Sequence, residues 1–217
     1  MSNSVTNSND YLQYLLKSWS AKSASELTGL NQLRAIAIDS VGTQRLPNKH
    51  DEEWRFTDIS PLTRLAYPPS QQQSRLQFSD IDKFCLQNTT NRLVFVDNHY
   101  SPDLSNVADS QIQILGNLHS LMSSHASTIE SHLGHYAKFD HDIFTALNTA
   151  FLHDSALIIV PAKTCITEPI HLLFIASQQE VSSYPRSLVV SGPDSKVTLI
   201  EDYVSINQSS YITNTVT

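Results

Sequence analysis

Two stretches near the N-terminus carry apolar residues at the spacing of an amphipathic helix. The first predicts a helix over residues 11–19, whose apolar positions are Tyr11, Leu12, Leu15, Leu16 and Trp19. Asn9 or Asp10 is predicted to be its N-cap. The second predicts a helix with the apolar stripe Leu27, Leu30, Leu33, Ile36 and Ala37. A capping box at Ser23–Glu26 precedes that stripe, and Gly42 either ends the helix or lies in a looser turn.

The middle of the chain alternates between strand-like and helix-like patterns. Residues 68–77 are rich in Pro, Ser and Gln and predict a surface linker, which a short helix at 80–86 follows. The apolar run 92–96 ends at the turn pair Asp97-Asn98 and predicts a strand, as does the alternating run 111–115. Apolar spacing then predicts a helix over 117–133 that ends at Gly134, and a shorter helix over 142–152.

After residue 155 the pattern changes to short runs rich in β-branched residues. The predicted strands are 156–160, 170–176, 187–191 and 197–203, and Pro, Gly and Asp lie between them. Their regular spacing is typical of a sandwich, a barrel or a β-helix, and periodicity alone does not choose among these. The stretch 211–217 alternates like a strand and then stops, so we expect the chain to be a fragment of a longer protein.

Composition narrows the class of protein. Of 217 residues, 40% are hydrophobic and 16% are charged, which is enough apolar content for a buried core. The net charge is −7 and Lys and Arg do not cluster, so nucleic acid is not an expected partner. The longest apolar run, 156–160, is far short of the ~20 residues that span a bilayer, and the N-terminus lacks a signal-peptide pattern. We therefore expect a cytoplasmic protein without membrane contact.

The two cysteines, Cys85 and Cys165, are far apart in the sequence and neither belongs to a Cys-x-x-Cys pair. A disulfide is not expected without a secretory signal. Two separate thiols also fall short of the four ligands that an iron–sulphur cluster normally needs. We interpret both as small buried apolar residues.

Histidines offer the densest candidate for chemistry. Glu130, His132, His135 and His141 form a group that could bind a divalent metal if the side chains shared one face. Gly134 interrupts the helix between them and no His-Glu-x-x-His pattern is present, so surface histidines at a helix end are the favoured interpretation. His171 lies near the strands.

Other catalytic arrangements are weaker still. Ser155, His153 and Asp154 cannot form a triad if neighbours on a strand point to opposite faces. The carboxylates Asp51, Glu52, Glu53 and Asp58 and the pair Glu201-Asp202 do not form one clustered acidic site. The chain has five glycines and lacks phosphate-binding fingerprints.

Trp54, Arg55 and Phe56 are interpreted as core, with Arg55 stacked on Trp54 or paired with a carboxylate.

Four segments, in this order, resemble the SufB/SufD family of iron–sulphur cluster assembly proteins, most closely its SufD branch. They are Leu33–Ile59 with its Glu-Trp-Arg-Phe-Thr-Asp run, Leu93–Ser105, Phe144–Leu172 with its Ala-Leu-Asn-Thr-Ala-Phe run, and Pro185–Tyr203. Two positions depart from the family pattern, because Asn98 and Ser155 stand where the family often has Gly. The resemblance covers about residues 30–217.

The resemblance implies an α+β fold in two parts. A helical domain, residues 1–90, would precede the first coils of a right-handed parallel β-helix, residues 91–217, with a helix inserted at about 117–133. The C-terminal half that members of the family have would be absent from this chain.

By resemblance, the full-length protein is a non-enzymatic scaffold subunit. It would act with a SufB-like subunit and a SufC-like ATPase, and the complex would handle an iron–sulphur cluster transiently. A homodimer is a further possibility. No catalytic, cofactor-binding or metal-binding residue carries over to this chain, and the resemblance assigns no role to Cys165. The alternatives are a β-helical carbohydrate-active enzyme and a small metal-dependent hydrolase.

Overall fold

A computed structural model describes residues 8–19, 28–71, 74–87, 89–108, 114–206 and 210–217 of the chain. The helices are α1 (Ser8–Ser18), α2 (Thr28–Thr43), α3 (Ser60–Leu65), α4 (Phe78–Ile81), α5 (Leu118–Glu130) and α6 (Ile143–Ala150), with 3-10 turns at Glu52–Trp54 and Asp82–Phe84. None of the described helices is both long and apolar enough to cross a bilayer.

Ten strands in the described residues form three sheets. The strands are β1 (Asn91–Val96), β2 (His99–Tyr100), β3 (Asn106–Val107), β4 (Ile114–Asn117), β5 (Ala156–Val160), β6 (Ile170–Ala176), β7 (Ser182–Ser183), β8 (Ser187–Ser191), β9 (Leu199–Ser205) and β10 (Ile212–Thr213). One sheet has the order β2-β1-β6-β9 with β3 beside β1, the second is β4-β5-β8, and the third pairs β10 with β7. Strands β2, β3 and β4 pair antiparallel to their neighbours, and every other pairing between these strands is parallel.

The parallel pairings after residue 155 repeat at a nearly constant offset along the chain. Ala156 lies beside Ser187 in one ladder, and Ile170 lies beside Leu199 in the next. In the third ladder, Ser182 lies beside Ile212. The chain therefore passes the same three sheets twice between residues 156 and 213, each time one strand further along.

The two larger sheets pack face to face, and helices cover their outer sides. Between the sheets lie side chains of β1, β5 and β6, including Leu93, Ile158 and Leu172, all fully buried. Helix α5 covers the far side of β5 and β8 through Leu118, Met122 and Ile129. Segments around Ile81 and Leu104 cover the far side of β1 and β6. Because both faces are buried, these strands are continuous apolar runs rather than alternating ones.

Helices α1, α2 and α6 form a further core at one end of the sheets. Tyr11 and Leu15 of α1 and Val41 of α2 pack on Ala146 and Leu147 of α6. Helix α1 contributes the apolar stripe that its sequence spacing predicts. The stripe predicted for α2 is only partly right, because Ala37, Ile38 and Val41 pack in this core whereas Ile36 is 52% exposed. Helix α6 thus lies between the N-terminal helices and the strands.

The structure confirms a mixed α+β fold and most predicted elements. Strands β5, β6 and β8 have the predicted bounds, and the helices predicted at 11–19, 117–133 and 142–152 are present as α1, α5 and α6. The strand predicted at 197–203 begins slightly later, at Leu199. Helix α5 is distorted at His125, whose φ and ψ are −132° and 22°. The domain boundary at residue 90 stays a prediction.

Several local predictions were wrong. Asn9 and Asp10 lie inside α1 rather than at its N-cap, and Gly42 lies inside α2, which ends at Thr43. The helix predicted at 80–86 is the short α4 followed by a 3-10 turn, because its hydrogen bonding tightens at Asp82. Only Ile212–Thr213 of the stretch 211–217 is a strand. The capping box Ser23–Glu26 and residues 111–113 of a predicted strand lie outside the described residues.

Candidate functional site

The histidines proposed as a metal group do not come together. The His132 Nδ1 lies 2.5 Å from the Tyr136 hydroxyl. His135 lines a groove between α2 and α5, whereas His141 lines a different cavity beside Asp140. Across the part of the chain that the structure describes, no group of three or more His, Cys, Asp or Glu side chains has the spacing to hold a metal ion. The described residues thus offer no metal site that would support the metal-dependent hydrolase hypothesis.

The sequence neighbours His153, Asp154 and Ser155 do not form a catalytic triad. Ser155 is fully buried, and its hydroxyl donates to the backbone carbonyls of Ala156 and Arg186. Its backbone N–H donates to Asp154 Oδ1 at 2.9 Å. The hydroxyl is thus a structural donor that a substrate cannot reach.

The four carboxylates that lie closest together in the sequence, Asp51, Glu52, Glu53 and Asp58, have different surroundings in the fold. Asp51 accepts two hydrogen bonds from Arg45, which are the main cause of the lowered pKa of its carboxyl, and a third from the Asn48 N–H. The hydrogen bond from Ser60 N–H is the main cause that lowers the pKa of Asp58. Glu52 and Glu53 are exposed. Asp51 and Asp58 thus accept hydrogen bonds within turns, and Asp58 lines a different cavity from Asp51 and Glu53.

The adjacent acidic residues Glu201 and Asp202 point to opposite faces of β9, as strand geometry predicts. Glu201 accepts a hydrogen bond from the Ser187 hydroxyl at 2.8 Å. Asp202 Oδ2 lies 2.9 Å from Nε2 of His171, which is fully buried and whose pKa is lowered by desolvation. An acid pair acting across one glycosidic bond is not formed, which removes the support for a carbohydrate-active enzyme.

Both cysteines are free thiols, and they differ in burial. Cys85 is half-buried, its thiol donates to the Ile81 carbonyl at 3.4 Å, and burial raises its pKa. Cys165 is exposed and lies between β5 and β6, where its backbone forms an isolated bridge to Lys196. The prediction that Cys165 is buried was wrong.

The structure does bring together three histidines that the sequence keeps apart. The ring centroids of His99 and His153 are 4.1 Å apart, and those of His119 and His153 are 5.3 Å apart. The buried carboxylate of Asp154 lies 3.4 Å from Nδ1 of His119 and accepts a hydrogen bond from the Asn117 amide at 2.7 Å. We call these four residues, His99, His119, His153 and Asp154, the histidine cluster.

Three different elements position the histidine cluster. His99 begins β2 after a tight turn in which Asp97 and Asn98 have φ of 50° and 71°, a conformation that Asn and Asp tolerate. His119 is in the first turn of α5, and its N–H points at Asp154, 3.4 Å away. His153 is in the loop between α6 and β5. No sequence spacing links these positions, and only His153 and Asp154, as neighbours in the sequence, suggest a site before the fold is known.

The three histidines of the histidine cluster differ in the direction in which their pKa values are shifted. Desolvation, with the charges of His99 and His119 as smaller causes, lowers the pKa of His153 to about 4. Desolvation also lowers the pKa of His99, whose Nε2 is buried without a hydrogen-bond partner in the described residues. The hydrogen bond to Asp154 instead raises the pKa of His119. His153 and His99 are therefore neutral imidazoles at pH 7, and His119 is the member that most readily takes a proton.

The motif residues around α6 form a second polar group, buried in the fold. The Asn148 amide donates to the carbonyls of Pro185 at 2.7 Å and Asn214 at 2.8 Å, and its oxygen accepts from Arg186 at 3.2 Å. Arg186 is 4% exposed and also donates to the Thr149 hydroxyl at 2.8 Å. Desolvation lowers the pKa of its guanidinium to about 10. These bonds tie α6 to the segments before β8 and after β10.

The same C-terminal turn of α6 is also tied to the N-terminal helices. The Ala150 carbonyl accepts from the Trp19 indole at 3.0 Å and from the buried Arg34 at 3.2 Å. Asp142 caps the start of α6 by accepting from the Phe144 and Thr145 N–H groups. Helix α6 therefore joins the helical core to the sheets through side chains of the segments that carry the family resemblance.

The Trp-Arg-Phe run is not core, contrary to the prediction. Trp54 is half-buried, with its ring centroid 5.2 Å from that of Phe144. Arg55 does not stack on Trp54, and its guanidinium lies 4.6 Å above the ring of Phe56. Phe56 is 89% exposed. The turn that begins at the 3-10 segment Glu52–Trp54 directs these two side chains outward, which composition alone does not reveal.

Comparison with known proteins agrees with the motifs. Residues 5–172 match the family described as the SufBD protein N-terminal region. The chain is similar to an iron–sulphur cluster assembly SufBD family protein of Synechocystis, with 34% identity over 197 residues that make up 88% of this chain and 43% of the relative. It is also similar to the iron–sulphur cluster assembly protein SufD of Bacillus subtilis, with 22% identity over 207 residues, 89% of this chain and 45% of the relative. The chain thus spans less than half the length of either relative.

Proposed function

Because the chain belongs to the SufBD family, we propose that the full-length protein works in iron–sulphur cluster assembly. The observation that carries the proposal is the match over residues 5–172, together with a SufD relative to which 89% of this chain aligns. The resemblance of the sequence motifs to the SufD branch supports the same role. The iron–sulphur cluster is the cargo of this role and not a resident cofactor of this chain.

The role within that process is proposed to be that of a non-enzymatic scaffold. The residues that carry the family resemblance are used for architecture: Asn148 and Arg186 join α6 to the strands, and Arg34 joins it to α2. Side chains that bond to backbone carbonyls in this way are committed to the fold and do not act on a substrate. Family motifs that hold elements together are what a scaffold needs.

The parallel ladders are proposed to be the first coils of a right-handed β-helix. Three parallel ladders whose partners are separated by a nearly constant length of chain support this proposal, because successive turns of a coil give such a register. Crossovers between parallel strands are right-handed in nearly all proteins. The stacked rings of Phe95, Phe174 and Tyr203, 5.2 and 4.9 Å apart, would be an aromatic ladder inside these coils.

The proposed partners are a SufB-like subunit and a SufC-like ATPase in the cytoplasm. An ATPase can shift a scaffold between two arrangements only if its contacts differ in the two states. On the family pattern the ATPase contacts lie in the C-terminal half, beyond these residues. A homodimer is the competing assembly.

Affinity capture of the full-length protein tests the proposal. Co-expressed with the SufB-like subunit and the ATPase, the tagged protein should retain both in a complex of fixed stoichiometry on size exclusion. The 217-residue chain, tagged in the same way, serves as the matched control and should fail to retain the ATPase. Retention of neither subunit by the full-length protein would contradict the partner assignment.

A further inference from the structure

The loop 51–58, which contains the Trp-Arg-Phe run, presents a large aromatic side chain to solvent from a rigid frame. Phe56 is 89% exposed, more than any other large hydrophobic side chain in the described residues. A single exposed apolar residue is ordinary, so the case for a binding surface depends on how the loop is built and on what surrounds it.

Hydrogen bonds hold the loop at both ends. Asp51 forms a two-pronged ion pair with Arg45, with N–O distances of 2.6 and 2.8 Å, and also accepts from the Asn48 N–H at 2.8 Å. At the other end, Asp58 accepts from the Ser60 N–H and hydroxyl at 2.9 and 3.1 Å. The loop is therefore ordered before it meets a partner, which lowers the entropy cost of binding.

The middle of the loop is anchored to helix α6. Trp54 packs on Phe144 of α6, and its carbonyl accepts from the Thr57 N–H at 2.9 Å. Arg55 and Phe56 lie between Trp54 and Thr57 in the sequence and form a cation–π pair at 4.6 Å. The anchored Trp54 and the paired Arg55 thus fix the direction in which Phe56 points.

A cleft of about 540 Å³ lies beside Phe56. Its lining residues are Pro47, Asn48, Lys49, Arg55, Phe56, Thr57, Asp58, Ile59 and Ser60. This volume falls in the range of roughly 300–1,000 Å³ that is typical of binding clefts. The cleft can therefore admit a side chain from another molecule.

The charge at this cleft is positive, although the chain as a whole carries a net charge of −7. Lys49 and Arg55 are exposed, and within the described residues neither forms an ion pair. The one carboxylate in the lining, Asp58, is ionised, because the hydrogen bonds from Ser60 and the charges of Arg64 and Lys49 lower its pKa, and the two cations therefore leave the lining with a net positive charge. The carboxylates Asp51 and Glu53 instead line a separate cavity beside Asp140 and Asp142.

We propose that the cleft beside Phe56, flanked by Lys49 and Arg55, is a docking site for an acidic segment of a partner protein that inserts a large apolar side chain. Aromatic and arginine side chains are enriched at the centres of protein interfaces and carry most of the binding energy there. A second copy that used the same surface across a two-fold axis would place two linings of the same net positive charge against each other, which is unfavourable. The inference goes beyond the cluster-assembly role and does not depend on it.

Fluorescence anisotropy with short fluorescein-labelled peptides tests the proposal. The probe is a peptide in which a central Phe is flanked by Glu, and the comparison peptides have Lys in place of Glu or Ser in place of Phe. The chain should bind the probe and should bind both comparison peptides about tenfold more weakly or worse. Phe56→Ser and Arg55→Glu should each weaken binding of the probe by a similar factor, whereas Phe56→Tyr should retain it.

Tyr136→Ser is the matched control, because Tyr136 is another aromatic residue, 65% exposed, outside the lining of the cleft. It should leave probe binding unchanged, and thermal unfolding should be the same for all variants. Failure of the chain to bind the probe would overturn the proposal, as would equal binding of the Lys-flanked peptide or equal losses in Phe56→Ser and Tyr136→Ser. Self-association that Phe56→Ser abolishes in sedimentation would also overturn it and would assign the surface to a second copy instead.

Discussion

Replacing Asn148 by Ala should lower the free energy of unfolding by about 3 kcal/mol or more, because each buried polar group left without a partner costs about 1–3 kcal/mol. Asn148 is fully buried and serves three groups. The carbonyls of Pro185 and Asn214 would lose a donor, and the buried Arg186 would lose an acceptor. The cost is high because water cannot replace these bonds without opening the contact between α6 and the strands.

Urea unfolding followed by circular dichroism measures the loss as a lower midpoint. Asn106→Ala is the control, since Asn106 is exposed on β3 and surface substitutions usually change stability by less than about 0.5 kcal/mol. If both variants unfold at the same urea concentration, the buried polar group around Asn148 does not hold α6 in place.

Gly192→Ala should destabilise the chain by about 1–3 kcal/mol or more, as over-packing of a close contact does. A Cβ at this position would lie 2.4 Å from the Ala162 nitrogen and 2.8 Å from its Cα. These are backbone atoms of the neighbouring turn, so no side-chain rotation relieves the clash. The Gly192 N–H also donates to the Val160 carbonyl at 2.9 Å, which binds the two turns together.

Gly42→Ala should have the opposite effect on the stability of the same chain. Nothing lies within 4 Å of a Cβ at Gly42, which is inside α2. Alanine in a helix interior is favoured over glycine by about 0.5–1 kcal/mol, so this variant should be neutral or more stable. Thermal unfolding of the two variants side by side measures the difference. A Gly192→Ala variant as stable as Gly42→Ala would show that the turns are not closely stacked.

The elements whose bounds the sequence predicted well are those in which apolar packing alone determines the residue pattern. Strands β5, β6 and β8 are short β-branched runs packed between layers of the fold, and turn residues such as Pro161 bound them. Helices α1 and α6 each have one apolar stripe that packs in the same core. Local pattern and tertiary packing agree at these positions, so their bounds are readable from the sequence.

The short elements depended on tertiary contacts and escaped prediction. Strands β2, β3 and β7 have 2 residues each and exist only because a neighbouring strand offers hydrogen bonds. The exposure of Phe56 was mispredicted for a related reason. Its direction follows from the ion pair of Asp51 with Arg45 and from the anchoring of Trp54, which amino-acid type does not encode.

The candidate sites differ in the same way: sequence motifs pointed to some of their residues, and only the fold brings the others together. The sequence singled out Asn148 and Arg186 as parts of family motifs, and the structure shows why those residue types are needed together. The histidine cluster could not be found in this way, because His99, His119 and His153 meet only when the hairpin, α5 and the loop before β5 pack together.

The activity of an iron–sulphur enzyme in cells that lack this protein tests the central claim most directly. We expect the activity of such an enzyme to fall when the gene for the full-length protein is deleted, while the amount of its polypeptide stays unchanged. Restoring the gene should restore the activity, because the defect lies in cluster supply and not in synthesis of the enzyme. Unchanged activity in the deleted cells, when no other assembly system supplies the cluster, would contradict a role in iron–sulphur cluster assembly.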